Sequence, residues 1–194
     1  MELFEAINNR RSIRRYKPDN VDDTKIDTIL EAGRWAPSWT NSQCWRFVVV
    51  RDPELKAQLA STLLKIKLRD KEVDNPATTA INTVPAVIVV CAEIGRSGSE
   101  SSAGGGVEYV TDKGDWFMFD TALAVQNIVL TAHALGLGTV IVGAFNAAQV
   151  EKILGIPEGN RVVSMIPIGV PDQEGKTPPR KDLSEIVKKD KWSG

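Results

Sequence analysis

The sequence predicts an α+β domain in which helices cover a sheet. Three observations carry this. Two helical segments precede the first strand, four β-rich apolar runs follow with helical segments between them, and no internal repeat is visible. At 194 residues the chain can bury a core without disulfide or metal staples, and residues 1–194 read as one domain.

The elements follow in order. ELFEAINN (2–9) is a short helix with Leu3, Phe4 and Ile7 on one face. RRSIRRYKPDN (10–20) is irregular or extended, since Lys17 precedes Pro18. Residues 22–37 form a second helix with Asp22 or Asp23 at its cap and a stripe of Ile26, Ile29, Leu30 and Gly33; Pro37 ends it. SWTNSQC (38–44) is a polar loop, and WRFVVVRD (45–52) a strand. An amphipathic helix with Pro53 at its start is predicted over 53–70. The continuous apolar run VPAVIVVCAE (84–93) predicts a strand buried on both faces. Residues 95–109, small and polar, read as a mobile loop. Residues 115–135 form a long helix, apolar nearly all round, as in a large core or a subunit interface. TVIVGAF (139–145) is a strand, 146–157 a helix capped by Asn146, and RVVSMIPIGVP (161–171) the last strand. The tail is polar and basic, yet carries Leu183, Ile186 and Val187.

Bulk properties exclude several classes. With 24 Lys+Arg against 25 Asp+Glu, no global field draws the protein to nucleic acid or an acidic membrane. The N-terminus has no apolar run, and Cys44 and Cys91 make no disulfide framework, so a cytoplasmic location is expected. A lone histidine, His133, and no C-x-x-C or H-x-x-x-H spacing argue against a metal. Residues 121–150 carry no charge, but Gln126, Asn127 and His133 interrupt them and Gly136 and Gly138 break them, so no membrane span is expected.

Against this balance, one cluster stands out. Arg10, Arg11, Arg14, Arg15 and Lys17 fall within eight residues, with Ser12 among them. Guanidinium forks suit phosphate, although a basic run is also the ordinary form of a solvated face. A second cation pair, Arg180 and Lys181, follows two stiffening prolines. In the loop after the second helix, Trp39 and Trp45 flank Ser38, Asn41, Ser42 and Gln43. Amides and hydroxyls can satisfy the edge of a heterocycle while an indole covers its face; a polar turn beside core tryptophans is the plainer reading. GLGTVIVG has Ile141 where a dinucleotide fingerprint needs glycine, and it runs helix to strand. Small residues Gly143 and Ala144 leave a backbone N–H open to a ligand, or simply allow close packing.

Taken together, these segments resemble the FMN-dependent nitroreductase family over essentially the whole chain. RRSIRRY resembles its N-terminal arginine motif, EAGRWAPSWTNSQCWRFVVV its "APS-x-x-N-x-Q-P-W" segment, residues 120–145 its long interface helix and following strand, and PPRKDLSEIV its C-terminal arginine motif. The resemblance implies a central, mostly antiparallel sheet flanked by helices, and a homodimer whose terminal segments are exchanged. It implies FMN as cofactor and NADH or NADPH as electron donor. Hydride would pass through flavin N5 to an oxidised small-molecule acceptor such as a nitroaromatic or quinone, in a ping-pong cycle. Arg10 and Ser12 would hold phosphate and ribityl oxygens, and Arg14 would lie near flavin N1 and O2, where a fixed guanidinium stabilises negative charge. Arg180 with Lys181 would complete the phosphate grip. Ser38, Trp39 and Asn41 would approach from the partner subunit, and the backbone of Gly143 and Ala144 would meet N5 and O4. Arg11, Pro37 and Gln43 belong to the same set of cofactor contacts.

Trp116 and Phe117 would line the acceptor pocket beneath a flexible lid at about residues 95–115, and residues 171–194 would form a C-terminal arm. No side chain is expected to be catalytic, since the flavin does the chemistry. Cys44 stands where the family commonly has proline, and Gly143 where some relatives have an acidic residue. A flavin sensor or carrier without turnover, or a flavin-consuming or dehalogenating enzyme, would share the fold.

Overall fold

A computed structural model describes residues 1–101 and 106–192. Its centre is a four-stranded sheet of order β1-β4-β8-β7, formed by β1 (Trp45–Val50), β4 (Ala86–Glu93), β8 (Asn160–Gly169) and β7 (Gly138–Thr139), antiparallel throughout. The helices are α1 (Leu3–Asn9), α2 (Asp23–Arg34), α3 (Pro53–Ser61), α4 (Ala77–Thr83), α5 (Phe117–Ala134), α6 (Ala147–Leu154) and α7 (Leu183–Ile186). Two small hairpins stand apart, β2 (Ile66–Leu68) with β3 (Lys71–Val73) and β5 (Ser99–Ser101) with β6 (Val107–Tyr109).

The apolar run of β4 explains the layering. Successive side chains of a strand point to opposite faces. Val87, Val89 and Cys91 join Leu59 of α3, Ile81 of α4 and Val150 of α6 in one core. Ala86, Ile88 and Val90 join Ile26 and Ile29 of α2 and Ile128 and Val129 of α5 in a second. The sheet is therefore covered on both sides, as the sequence predicts for this strand. Gly33 lets α2 and α5 approach closely, since a Cβ there would meet Ile128 Cγ1 at 2.9 Å.

Four expectations change. The helix predicted over 53–70 stops at Ser61. Its amphipathic pattern continues, but Leu63 bridges Phe145 and Leu64 N–H donates to Ala144 O at 3.0 Å, so tertiary pairing overrides local preference. The chain then forms the β2–β3 hairpin. α4, a helix that the sequence reading left unassigned, follows; Lys56, buried in α3, donates from Nζ to Val84 O at its C-terminus at 2.5 Å. Residues 139–145 form no continuous strand. After β7 only Val142 bridges back, to Met165, and Ile141 is exposed. Residues 95–109 include the paired β5–β6 hairpin instead of a plain loop, with Trp116 N–H closing onto Ser97 O at 3.1 Å. Residues 102–105 of the expected lid lie outside the described residues.

Finally, α1 and α5 are not fully covered. Leu3, Phe4 and Ile7 are exposed, Phe4 at 76%, with only Ala6 of α1 buried. Met118 and Phe119 of α5 are exposed as well. Among the described residues no helix is long and apolar enough to cross a membrane, and no group of His, Cys, Asp or Glu could hold a metal ion.

Candidate functional site

The arginine segment is laced between the sheet edge and the chain that leaves β8. Ser12 bridges Thr139 of β7, with Ile13 N–H donating to Thr139 O at 2.9 Å. Lys17 N–H donates to Val170 O at 2.9 Å, and Asp172 N–H to Arg15 O at 3.0 Å. Buried Ile13 and Tyr16 pin the segment inward, and Tyr16 Oη donates to Ile13 O at 2.5 Å. This brings the two ends of the chain together.

Between them lies a cavity of about 600 Å³ lined by Arg10, Arg11, Ser12, Arg14 and Arg15 from one end and by Lys176 and Arg180 from the other. Six cations face one lining carboxylate, Glu174. None of the six makes an ion pair among the described residues. Burial first, then the charges of Arg11 and Arg180, hold the Arg10 guanidinium below its usual value. Six cations gathered around a single carboxylate leave the cavity with unbalanced positive charge, which favours an anion there.

The six are not equivalent. Arg11 is used internally: Nε donates to Thr177 Oγ1 at 3.1 Å, and Nη1 to Asn8 O at 2.6 Å and Arg10 O at 2.8 Å. It fastens the C-terminal arm to the arginine segment. Gly175 allows this, because a Cβ there would overlap the Arg11 stem. Arg180 Nη1 donates to Pro178 O at 3.1 Å and, weakly, to Pro179 O at 3.5 Å. Lys181 is exposed and does not line the cavity. A smaller cavity of about 200 Å³ adjoins, lined by Arg10, Arg11, Thr139, Gln173 and His133. His133 Nε2 is buried there without a partner.

Pro37, Ser38, Trp39, Asn41 and Gln43 do not line the arginine cavity within one chain. Their loop lies instead against the start of α5. It is strained: Thr40, Asn41 and Gln43 have φ of 43, 58 and 47°. Each such non-glycine residue costs on the order of 1–3 kcal/mol. Trp39 N–H donates to Asp120 Oδ2 at 3.0 Å, and Gln43 N–H to Ser38 Oγ at 2.9 Å. Trp39 also packs on Trp116, centroids 5.3 Å apart.

Trp116 lines a cavity of about 390 Å³ with Lys113, Asp115, Met118 and Phe119. Phe117 is not among its lining residues. One helical step of 100° turns Phe117 away, whereas Phe119, three residues beyond Trp116 and so nearly on the same face, meets it edge-on at 5.4 Å. Gly143 is exposed, and a Cβ there would meet nothing within 4 Å, so its backbone is open to approach. Ala144 O is occupied by Leu64 N and, at 3.4 Å, by Asn75 Nδ2.

Sequence reasoning passed over Asn75, Lys113, Phe119 and Asp120. Only Asp120 left a signal, a lone acid in an apolar helix, and it reads equally as a first-turn dipole partner.

A family model described as Nitroreductase family matches residues 7–170. The chain belongs to the nitroreductase family. Among its relatives, a Methanothermobacter thermautotrophicus protein provisionally named NADH dehydrogenase/NAD(P)H nitroreductase is 30% identical, covering 99% of this chain and 88% of that one. The crystal structure of a nitroreductase family protein from Clostridium novyi NT is 32% identical, with TM-score 0.71 and coverage of 99% and 95%. An FMN-dependent nitroreductase from Clostridium difficile R20291 is 25% identical, with TM-score 0.75 and coverage of 97% and 99%. The nitroreductase fold thus extends over nearly the whole chain.

Proposed function

We propose that this nitroreductase-family chain is an FMN-dependent oxidoreductase driven by NADH or NADPH. Arg10, Ser12 and Arg180 would hold the cofactor's phosphate end, with Arg14 near the flavin ring. The donor set fits that group: planar guanidinium forks and a hydroxyl, with one acid among six cations. When bound, FMN supplies hydride transfer from NAD(P)H to an oxidised acceptor such as a nitroaromatic or quinone. The chain's own residues need supply no nucleophile. Arg14 contributes fixed positive charge, the open backbone at Gly143 admits a planar ligand, and Trp116 with Phe119 offers an apolar surface to an acceptor.

The working unit in this reading is a homodimer with the 37–43 loop serving the partner's cofactor. Leu3, Phe4, Ile7, Leu183, Ile186 and Trp192 are exposed in one chain, Trp192 at 87%. Burying each such side chain contributes about 1.5–3 kcal/mol, ample for association. The observation that carries the proposal is the meeting of Arg10 and Arg14 with Arg180, from opposite ends of the chain, on one cavity.

The test is optical. Purified protein should be yellow or take up FMN stoichiometrically, and NADH or NADPH added without oxygen should bleach it within seconds. Protein that refuses FMN refutes the proposal. Yellow protein that neither nucleotide bleaches is a flavin carrier instead.

A further inference from the structure

Asp120 is a buried acid that the proposed reaction does not use. It sits in the first turn of α5, is 1% exposed, and forms no ion pair among the described residues. A carboxylate so placed must be held by hydrogen bonds. One oxygen, Oδ2, receives three: from Trp39 N–H at 3.0 Å, Ser42 Oγ at 3.3 Å and Ser97 Oγ at 2.5 Å. The first two donors belong to the 38–43 loop. The third lies in the turn at the base of the β5–β6 hairpin, where Ser97 is itself fully buried and its carbonyl accepts from Trp116 N–H.

We propose that Asp120 is a positioning residue: its carboxylate holds the 38–43 loop in its left-handed conformation and locks that loop to the hairpin base. The loop has three left-handed residues without glycine, which relax toward ordinary conformations unless the surroundings over-determine them. Within the loop, Gln43 N–H donates to Ser38 Oγ at 2.9 Å and Gln43 Nε2 only weakly to Asn41 O at 3.4 Å, while Asp120 Oδ2 anchors it from outside. Oδ2 therefore fixes both where Trp39 sits on Trp116 and how Asn41 is presented. It also makes the loop and the hairpin move together, since both draw on the same oxygen. The consequence for FMN rests on the function proposed above; the consequence for the loop does not.

The probe for the loop is the indole pair. Two indoles 5.3 Å apart give an exciton couplet in far-ultraviolet circular dichroism, and Trp39→Phe identifies it. Asp120→Asn keeps the shape but offers a neutral acceptor to three donors. It is expected to unfold cooperatively, lose the couplet and weaken FMN binding at least tenfold. A merely stabilising acid would lower Tm and leave both readouts alone. A retained couplet, or an FMN Kd within twofold of wild type, overturns the proposal. Where Asp120→Asn does not fold, Ser42→Ala combined with Ser97→Ala removes two donors and keeps the acid. That variant is expected to lose couplet intensity and bind FMN at least fivefold more weakly; wild-type values in either overturn the proposal. Should wild-type protein take up no FMN, the functional reading fails while the couplet still decides the role of Asp120.

Discussion

Replacing Arg10 by Ala tests the anion site at its most constrained member. Arg10 is half-buried, and its guanidinium already feels burial and the charges of Arg11 and Arg180. One hydrogen bond from such a group to a phosphate oxygen is worth about 1.5–3 kcal/mol. At about 1.4 kcal/mol per decade, its loss should raise the FMN Kd roughly 10- to 150-fold. Arg180 is exposed and screened, so Arg180→Ala should cost only about two- to fivefold. The fold should survive Arg10→Ala, because the backbone of Arg10, not its side chain, caps α1 by donating to Ala6 O at 3.0 Å. Removing one of several crowded cations also relieves repulsion in the apoprotein.

The assay compares FMN with riboflavin by flavin fluorescence on apoprotein. Riboflavin has the same ring and no phosphate. Arg10→Ala should therefore raise the FMN Kd much more than that of riboflavin, which shares the ribityl chain and ring but not the phosphate. Equal weakening of both ligands would mean that Arg10 acts on the ring or the fold. No weakening of FMN would mean that the cavity does not hold its phosphate.

Gly175→Ala should drive the arm off the Arg11 stem, with an overpacking cost of about 1–3 kcal/mol; faster proteolysis near residue 175 and a raised FMN Kd are expected, and wild-type behaviour in both refutes the staple. His133, the one histidine, is held below its usual 6.5 by burial, then by Arg10 and Arg11, against a weaker pull from Glu5. The unfolded chain therefore takes the proton first, and stability should fall as pH drops from about 6.5 to the lower folded value, then level off. Inorganic phosphate, by neutralising Arg10 and Arg11, should move the His133 ring-proton NMR titration to higher pH; an unmoved titration places the anion elsewhere. Leu183→Asp, at a side chain 73% exposed in one chain, should shift the proposed homodimer toward monomer in ultracentrifugation and release FMN; an unchanged assembly would free α7 from any role in it.

The fold was legible where burial on both faces left no choice. The β4 run reads correctly because Ala86 through Ala92 are apolar without interruption. The α2 stripe reads correctly because Ile26, Ile29 and Gly33 keep helical spacing and are buried. Residues 62–70 read wrongly because Leu63, Ile66 and Leu68 fit either a helix or a strand, and only contact with residues 144 and 145 decides. The arginine cluster was legible as unbalanced charge beside balanced composition. Asp120 was not: its donors Trp39 and Ser42 lie 81 and 78 residues away, and no local pattern encodes such a meeting.

The two ends of the chain carry two kinds of surplus. Arg10 and Arg14 lie within five residues of the end of α1, whose Leu3, Phe4 and Ile7 are uncovered; Arg180 lies three residues before α7, whose Leu183 and Ile186 are uncovered. Each end thus places unneutralised cations and unburied apolar groups within a few residues of one another. Apolar burial favours association without direction, whereas six gathered cations oppose any ordering that brings them closer. An anion in the cavity removes that opposition. In the proposed homodimer, cofactor binding and ordering of both termini on a second chain would then be one coupled equilibrium, in which each would strengthen the other by the same factor.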